Sequence, residues 1–188
     1  MTLRLNRYYI AIAVVNIAVI LALLCVIAPF EAVSVAVNVQ HAEAKTNTKK
    51  AISGVPNRIV IPSLRLDIRV KIGSYDQKTK QWTISDDGAY YADYSIVPND
   101  TIGTSLIYGH ARWGIFGALP DLPEKADLYV YTESEHVFHY QYIAVTNVEP
   151  SNTNIFSRKG VPQLVLQTCS GAWSQYRSLY TFSFVEVT

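Results

Sequence analysis

The 188-residue chain has few cysteines and almost no net charge, and both features narrow what it can do. It contains 2 cysteines, and 16 Lys and Arg against 15 Asp and Glu give a formal charge of +1 at pH 7. We find no CxxC pair, no phosphate-binding glycine loop and no dinucleotide glycine motif. These absences argue against nucleotide binding, and the even charge balance argues against a nucleic-acid partner.

One long apolar run stands near the start of the chain. Residues 8–30 carry no charge, Arg4 and Arg7 precede them, and Glu31 is the first charge after them. A helix of about 20 apolar residues spans a bilayer core. Because positive charges stay on the cytoplasmic side, we predict a single-pass membrane anchor with the N-terminus in the cytoplasm and the remainder outside the cell.

A cleaved signal peptide is the alternative for this segment. Signal peptides have an apolar region of about 7 to 15 residues, shorter than the run here, followed by a cleavage site of small residues. Ser34–Ala36 and Ala42–Ala44 are such sites, so the alternative stays open. Both interpretations export the bulk of the protein.

Export changes the interpretation of the cysteines. Cys25 lies inside the apolar run, so Cys169 is the only cysteine of the exported part and has no disulfide partner within the chain. An unpaired thiol in an extracytoplasmic domain calls for a functional hypothesis.

The pattern after the apolar run predicts a linker and one β-rich domain. Residues 1–30 are the anchor with its cytoplasmic end, residues 31–56 show no sustained period and form the linker, and residues 57–188 form the domain. We expect a barrel or sandwich of seven or eight strands, with one or two short helices near 115–122 or 88–94. The segments rich in β-branched and aromatic residues are 58–61, 66–72, 105–109, 127–132, 136–148, 163–168 and 178–187.

Three residues at strand ends are candidates for a site. His110 occurs in LIYGHARWG, Cys169 in LQTCSG and Arg177 in SQYRS. Side chains from distant segments converge at the strand ends of a rigid β scaffold. Taken singly, each residue also has a purely structural interpretation. Cys169 could be a core residue, His110 a turn residue, and Arg177 a side chain that faces water.

The other histidines are weaker candidates. His136 and His139 lie within a predicted strand, where we interpret them as face residues, and His41 lies in the linker. Arg112 follows His110 closely and is a second candidate for the positive charge of the site, ranked below Arg177.

The order and context of the three candidates resemble the sortase family of membrane-anchored cysteine transpeptidases. Residues 165–169, VLQTC, match the family's TLxTC strand at Leu, Thr and Cys, with Val165 in place of the first Thr. As in the family, His110 follows a strand and a glycine, 59 residues before Cys169, and Arg177 opens the strand after the cysteine.

The resemblance extends through most of residues 58–188 and implies a sortase-like β-barrel. The segments 59–62, 97–103 and 119–130 look like the family's first strand, the loop before the histidine strand and the segment that precedes the next strand. Ala126-Asp127 departs from the family's Gly-Asp pair at that last position, which affects a turn and no catalytic group.

The chemistry of the three side chains fits acyl transfer. A cysteine thiolate is a nucleophile, a guanidinium stays charged and can stabilise an oxyanion or hold the substrate carbonyl, and an imidazole can donate and accept a proton. We therefore assign Cys169 as the nucleophile, His110 as the acid and base, and Arg177 as the oxyanion or substrate stabiliser, with a thioester as the intermediate.

The resemblance also implies partners. The donor is an exported protein with an LPxTG-like sorting signal cut after its Thr, and the acceptor is an amine of a cell-wall precursor or of a pilin lysine. The sequence shows no metal ligand set and no cofactor motif; some family members use calcium, but no calcium site can be assigned from the positions of Asp and Glu.

Two other functions stay open from the residues alone. With water as the acceptor, the same site makes the protein a hydrolytic cysteine protease. Alternatively, the chain is a non-catalytic, membrane-anchored β-domain that binds a partner; this predicts a buried Cys169 far from His110.

Overall fold

A computed structural model describes residues 50–188, and these residues contain a closed β-barrel. Eight strands close the barrel in the order β1-β2-β5-β6-β9-β10-β8-β7, and β3 and β4 form a separate two-stranded sheet. The strands are β1 (Pro56–Ile61), β2 (Leu66–Gly73), β3 (Tyr75–Asp76), β4 (Gln81–Trp82), β5 (Ala89–Ala92), β6 (Thr104–Tyr108), β7 (Asp127–Thr132), β8 (Val137–Val148), β9 (Gln163–Ser170) and β10 (Tyr176–Val187).

Alternating apolar residues fill the barrel interior. In β7, Leu128, Val130 and Thr132 are buried, whereas the residues between them are only half-buried. This period of two is what a strand with one face toward a core requires. The interior cluster joins side chains from around the barrel, including Ile59, Phe116, Leu128, Tyr140 and Phe182.

A second apolar cluster lies on the outer face of part of the barrel. All five residues of β6 and all four of β5 are buried, so these strands are covered on both faces. The outer cluster joins Leu106, Tyr108 and Val165 to residues of β5 and β10, and Trp82 and Phe156 pack against it. The barrel therefore carries an additional layer over β5, β6 and β9.

The expected β-barrel is confirmed, and one expectation about helices is wrong. Among the described residues, helical structure consists of four 3-10 turns, Pro62–Leu64, Leu119–Asp121, Asn154–Ser157 and Ala172–Ser174. The second of these turns lies in the expected segment 115–122, whereas the other three lie outside both expected segments. Residues 88–94, the other expected helix, instead contain β5, which pairs with β2 and β6.

All seven segments predicted as strands form strands. The sequence missed β3, β4 and β5, which have two to four residues each and are too short to show a period. The predicted anchor at residues 1–30, most of the linker, and Cys25 and His41 lie outside the described residues. Within residues 50–188, no helix is both long and apolar enough to cross a membrane.

Candidate active site

Parallel pairing of β6 with β9 brings the histidine and the cysteine to the same end of the barrel. Tyr108 lies opposite Gln167 in the register of these strands. The pairing continues one residue further, because the Gly109 N–H donates to the Gln167 carbonyl at 3.1 Å. His110 and Cys169 each lie two residues beyond the Tyr108–Gln167 pair, so both residues follow from the same end of these neighbouring strands.

A buried side-chain hydrogen bond ties the two segments together at this point. The Thr168 hydroxyl donates to the Gly109 carbonyl at 2.9 Å. Thr168 directly precedes Cys169, and Gly109 directly precedes His110. This bond therefore fixes the backbone that carries the cysteine relative to the backbone that carries the histidine.

Antiparallel pairing of β10 with β9 adds the arginine. Arg177 lies opposite Cys169 in the register. Its Nη1 donates to the carbonyl of Ser174, in the loop between the two strands, at 2.9 Å and to that of Tyr176, the first residue of β10, at 3.1 Å. No other hydrogen bond from this guanidinium is made to residues 50–188, so its other N–H groups can meet a ligand.

His110, Cys169 and Arg177 line a single cavity of about 930 Å³. Cys169 is half-buried, and 37% of the His110 side chain is exposed. The non-catalytic alternative requires a buried thiol, whereas Cys169 is only half-buried. The other walls come from the β3–β4 hairpin with the residues that flank it, from β6 and from the connection between β8 and β9.

Trp82 on β4 holds the hairpin against the rest of the cavity wall. Its ring centroid lies 5.4 Å from that of Tyr75, 5.4 Å from Tyr108, 5.7 Å from Phe156 in a stacked arrangement and 6.0 Å from Tyr94. Such aromatic pairs contribute roughly 0.5–1.5 kcal/mol each beyond the burial of area. The ring thus joins four separate segments around the cavity.

Tyr108 adds a polar attachment for the hairpin. Its hydroxyl donates to the Thr83 carbonyl at 2.6 Å. Burial raises the pKa of Tyr108 well above its ordinary value, so the hydroxyl stays protonated and keeps donating. The residue after Trp82 is therefore fixed to the barrel strand that leads to His110.

The second arginine candidate, Arg112, does not line the cavity. Its Nη1 pairs with Asp86 Oδ1 at 2.5 Å, and its Nη2 donates to the Asp86 carbonyl at 2.9 Å. Asp86 Oδ1 also lies 3.5 Å from His110 Nε2, and 71% of the Asp86 side chain is exposed. Arg112 is thus engaged with a carboxylate, whereas Arg177 faces the cavity.

The sequence did not reveal Asp86 or the aromatic wall. Asp86 belongs to the loop segment ISDDG, which carries no motif, and Trp82 lies on a two-residue strand without a period. His139, interpreted as a strand-face residue, does lie in β8 and pairs with Asp127 at 2.9 Å away from the cavity lining. In the described part of the chain, no group of three or more His, Cys, Asp and Glu side chains is arranged to hold a metal ion.

Comparison with known proteins identifies the fold. The chain is similar in structure to sortase C-1 from Actinomyces oris. The two chains are 24% identical over 69% of this chain and 73% of that one, and the TM-score is 0.56. Sortase A from Corynebacterium diphtheriae gives 21% identity over 72% and 62% of the two chains and a TM-score of 0.58. Sortase C from Streptococcus pneumoniae gives 20% identity over 69% of this chain and 65% of that one, with a TM-score of 0.57.

A comparison of the sequence with curated proteins found no significant match. The family model of the Sortase domain, however, matches residues 59–182, about two thirds of the chain, and this range contains His110, Cys169 and Arg177. The chain belongs to the sortase family.

Proposed function

We propose that the protein cleaves an LPxTG-like sorting signal in exported proteins and transfers the acyl part to an amine, with Cys169, His110 and Arg177 as the reacting groups. Family membership makes it a sortase-type cysteine transpeptidase. The observation that supports the finer proposal is that these three side chains, from three different strand ends, line the same cavity.

In the first half-reaction, the Cys169 thiolate attacks the carbonyl carbon of the Thr residue in the motif. The carbonyl oxygen gains negative charge, and the free N–H groups of Arg177 are the donors that stabilise it. The C–S bond forms as the C–N bond to the following Gly breaks. Protonated His110 gives its proton to the leaving amine. The products are a thioester on Cys169 and a released peptide that begins with Gly.

In the second half-reaction, the acceptor amine attacks the thioester carbonyl. His110 takes a proton from the amine, the new C–N bond forms, and the C–S bond breaks to release the Cys169 thiolate. Water in place of the amine gives the hydrolytic reaction. His110 and Cys169 line the same cavity, and each lies two residues beyond the paired residues Tyr108 and Gln167, which supports both proton transfers at one position.

The cavity supports a peptide as the donor. Its volume of about 930 Å³ lies at the upper end of the range of about 300–1,000 Å³ that is common for ligand sites. The aromatic side chains of Trp82, Tyr94 and Phe156 offer apolar contact along its wall. An extended segment lying along β6 and β9 would end at the cysteine.

We further propose that the enzyme works at the outer side of the membrane, held by the apolar segment 8–30. Arg4 and Arg7 before the segment support this orientation. The acceptor would be an amine of a cell-wall precursor or a pilin lysine, since the Streptococcus pneumoniae sortase C has pilin substrates. Donor and acceptor would then meet the enzyme at the same surface.

Mass spectrometry of the full chain in detergent tests the proposal. Incubation with LPxTG-like peptides should add the acyl mass to the protein, and an added amine should convert the adduct into an amide product. Cys169→Ala should abolish the adduct with the fold intact, whereas Cys25→Ala, the matched change at the second cysteine, should retain it.

Other outcomes would change the assignment. An adduct that gives only the free acid with every amine tested would identify a hydrolase. Absence of an adduct, together with resistance of Cys169 to alkylation in the folded protein, would favour the non-catalytic binding domain. An adduct in Cys169→Ala would refute this residue as the nucleophile.

A further inference from the structure

Asp86 reaches both His110 and Arg112 from a loop that is distant from them in the sequence. Its Oδ1 lies 2.5 Å from Arg112 Nη1 and 3.5 Å from His110 Nε2, and Arg112 Nη2 donates to the Asp86 carbonyl at 2.9 Å. The two half-reactions described above use His110 but not Asp86. A carboxylate beside the candidate acid and base can nevertheless affect how the imidazole exchanges protons.

The residues on either side of Asp86 are attached to the barrel. Lys71 on β2 pairs with Asp87 at 2.5 Å, and the Ser85 hydroxyl donates to Asp87 and bonds to the Tyr90 hydroxyl on β5. The hydrogen bonds from Lys71 and Ser85 lower the pKa of Asp87 to about 2, so this attachment is charged at neutral pH. The loop is therefore fixed before and after Asp86.

Arg112 holds Asp86 at two points and is itself tied to His110. One guanidinium nitrogen pairs with the Asp86 carboxylate, and the other donates to the Asp86 backbone carbonyl. The Arg112 N–H donates to the His110 carbonyl at 2.9 Å. The three residues thus form a closed ring of contacts, which sets the carboxylate in place beside the imidazole.

Asp86 approaches one particular nitrogen of the imidazole. The distance of 3.5 Å from Nε2 is slightly longer than a hydrogen bond, and such contacts often tighten only when substrate binds. A carboxylate beside one ring nitrogen takes the N–H on that side and thereby leaves the other nitrogen for proton exchange. Within residues 50–188, His110 Nδ1 makes no hydrogen bond, so it is available to the leaving amine.

The shared carboxylate supplies orientation more than charge. Arg112 already balances the negative charge of Asp86, and 71% of the Asp86 side chain is exposed. Water and Arg112 therefore weaken the Coulomb attraction between Asp86 and a protonated imidazole. A hydrogen bond that fixes the ring keeps its effect, because it acts through the geometry of the proton transfer.

A second pair of histidine and carboxylate lies away from the reaction. His139 Nε2 is 2.9 Å from Asp127 Oδ1, and the His139 ring stacks on Tyr129 with 4.8 Å between the ring centroids. None of these three residues lines the cavity. The pair at His139 is therefore a matched control for the pair at His110.

We propose that Asp86 is a positioning residue that orients His110 for proton transfer to and from the substrate amines. This inference rests on the proposed transpeptidase function and adds a residue to the same site. Asp86 accepts the N–H of His110 Nε2, and the proton on Nδ1 passes to the leaving amine as its C–N bond breaks. In the second half-reaction, Nδ1 takes a proton from the acceptor amine while Nε2 keeps its own.

Two donors that differ only in their leaving group test this assignment in the full chain. One is an LPxTG-like peptide, whose leaving amine needs a proton, and the other is the 4-nitrophenyl ester of the same acyl part, which releases a stable anion without one. The rate of thioester formation on Cys169 is measured with both donors. The variants are Asp86→Ala, Asp86→Asn and the control Asp127→Asn, which alters the carboxylate of the other pair.

The expected result is a loss that depends on the leaving group. Asp86→Ala should lower the maximal rate with the peptide roughly 5- to 20-fold and leave the rate with the ester within about twofold of the wild type. KM for the peptide should change little, since Asp86 does not line the cavity. Asp86→Asn keeps one acceptor oxygen and should retain part of the rate. Arg112→Ala leaves the carboxylate and its loop attachments in place and should lose much less.

Several results would overturn the positioning role. An equal loss with both donors in Asp86→Ala would mean that Asp86 maintains the structure of the site and not the proton transfer. An unchanged rate with the peptide, or the same selective loss in Asp127→Asn, would also contradict it. Failure of the wild type to form a thioester with either donor would refute the proposed function itself, whereas normal thioester formation without a selective loss in Asp86→Ala refutes only this inference.

Discussion

Replacement of Thr168 by valine tests whether the strand-to-strand hydrogen bond sets the site geometry. The change keeps the side-chain volume but removes the hydroxyl that donates to the Gly109 carbonyl at 2.9 Å. Thr168 is 5% exposed, so water cannot readily replace the lost donor. A buried acceptor left without its partner costs about 1–3 kcal/mol.

We therefore expect Thr168→Val to lose about 1–2 kcal/mol of unfolding free energy. For a domain of this size, that loss lowers Tm by roughly 4–8 °C. Because the bond joins the residues directly before His110 and Cys169, thioester formation should slow by at least about fivefold at temperatures where the variant is fully folded. Denaturant unfolding and the rate of the mass-detected adduct measure the two effects.

Thr104→Val is the matched control. Thr104 lies at the other end of β6 and is 4% exposed, and its hydroxyl makes no hydrogen bond to any residue in the described range 50–188. This change should alter stability by less than about 0.5 kcal/mol and leave thioester formation unchanged. The reasoning fails if Thr168→Val forms the thioester at the wild-type rate, or if the two variants lose the same stability.

Two further predictions concern the positive charge that Arg177 brings to the cavity and the aromatic side chain of Trp82 in the cavity wall. Arg177→Ala should lower the rate of thioester formation by about 100-fold or more, the usual effect of losing an oxyanion donor, whereas Arg112→Ala should keep most of the activity because Arg112 is engaged with Asp86. If Arg112→Ala lost more of the rate of thioester formation than Arg177→Ala in the same adduct assay, Arg112 rather than Arg177 would be the oxyanion donor. Trp82→Ala removes the ring that joins four aromatic neighbours, so the KM for the donor should rise and a small alkylating reagent should modify Cys169 faster. Unchanged values of both quantities would mean that the hairpin does not shape the donor site.

Much of the barrel could be predicted because the composition of its long strands, taken segment by segment, already indicates a strand. Segments such as 127–132 and 163–168 are rich in β-branched and aromatic residues, and they form β7 and β9. The short strand β5 could not be predicted, since its four residues, AYYA, are all buried and show no alternation. Its strand conformation depends on pairing with β2 and β6, which come from other parts of the sequence.

The chain by itself determined the identities of the candidate groups and their order, because His110, Cys169 and Arg177 each follow or open a segment whose strand pattern is local. Only the tertiary structure decided which of them meet. The parallel pairing of β6 with β9 brings the histidine and the cysteine to the same end of the barrel, and the aromatic wall around Trp82 forms from four separate segments. The choice between Arg177 and Arg112 likewise depends on Asp86, a residue of an unpatterned loop that reaches Arg112 only in the folded chain. Contacts of this kind join residues far apart in sequence, so no local pattern can encode them.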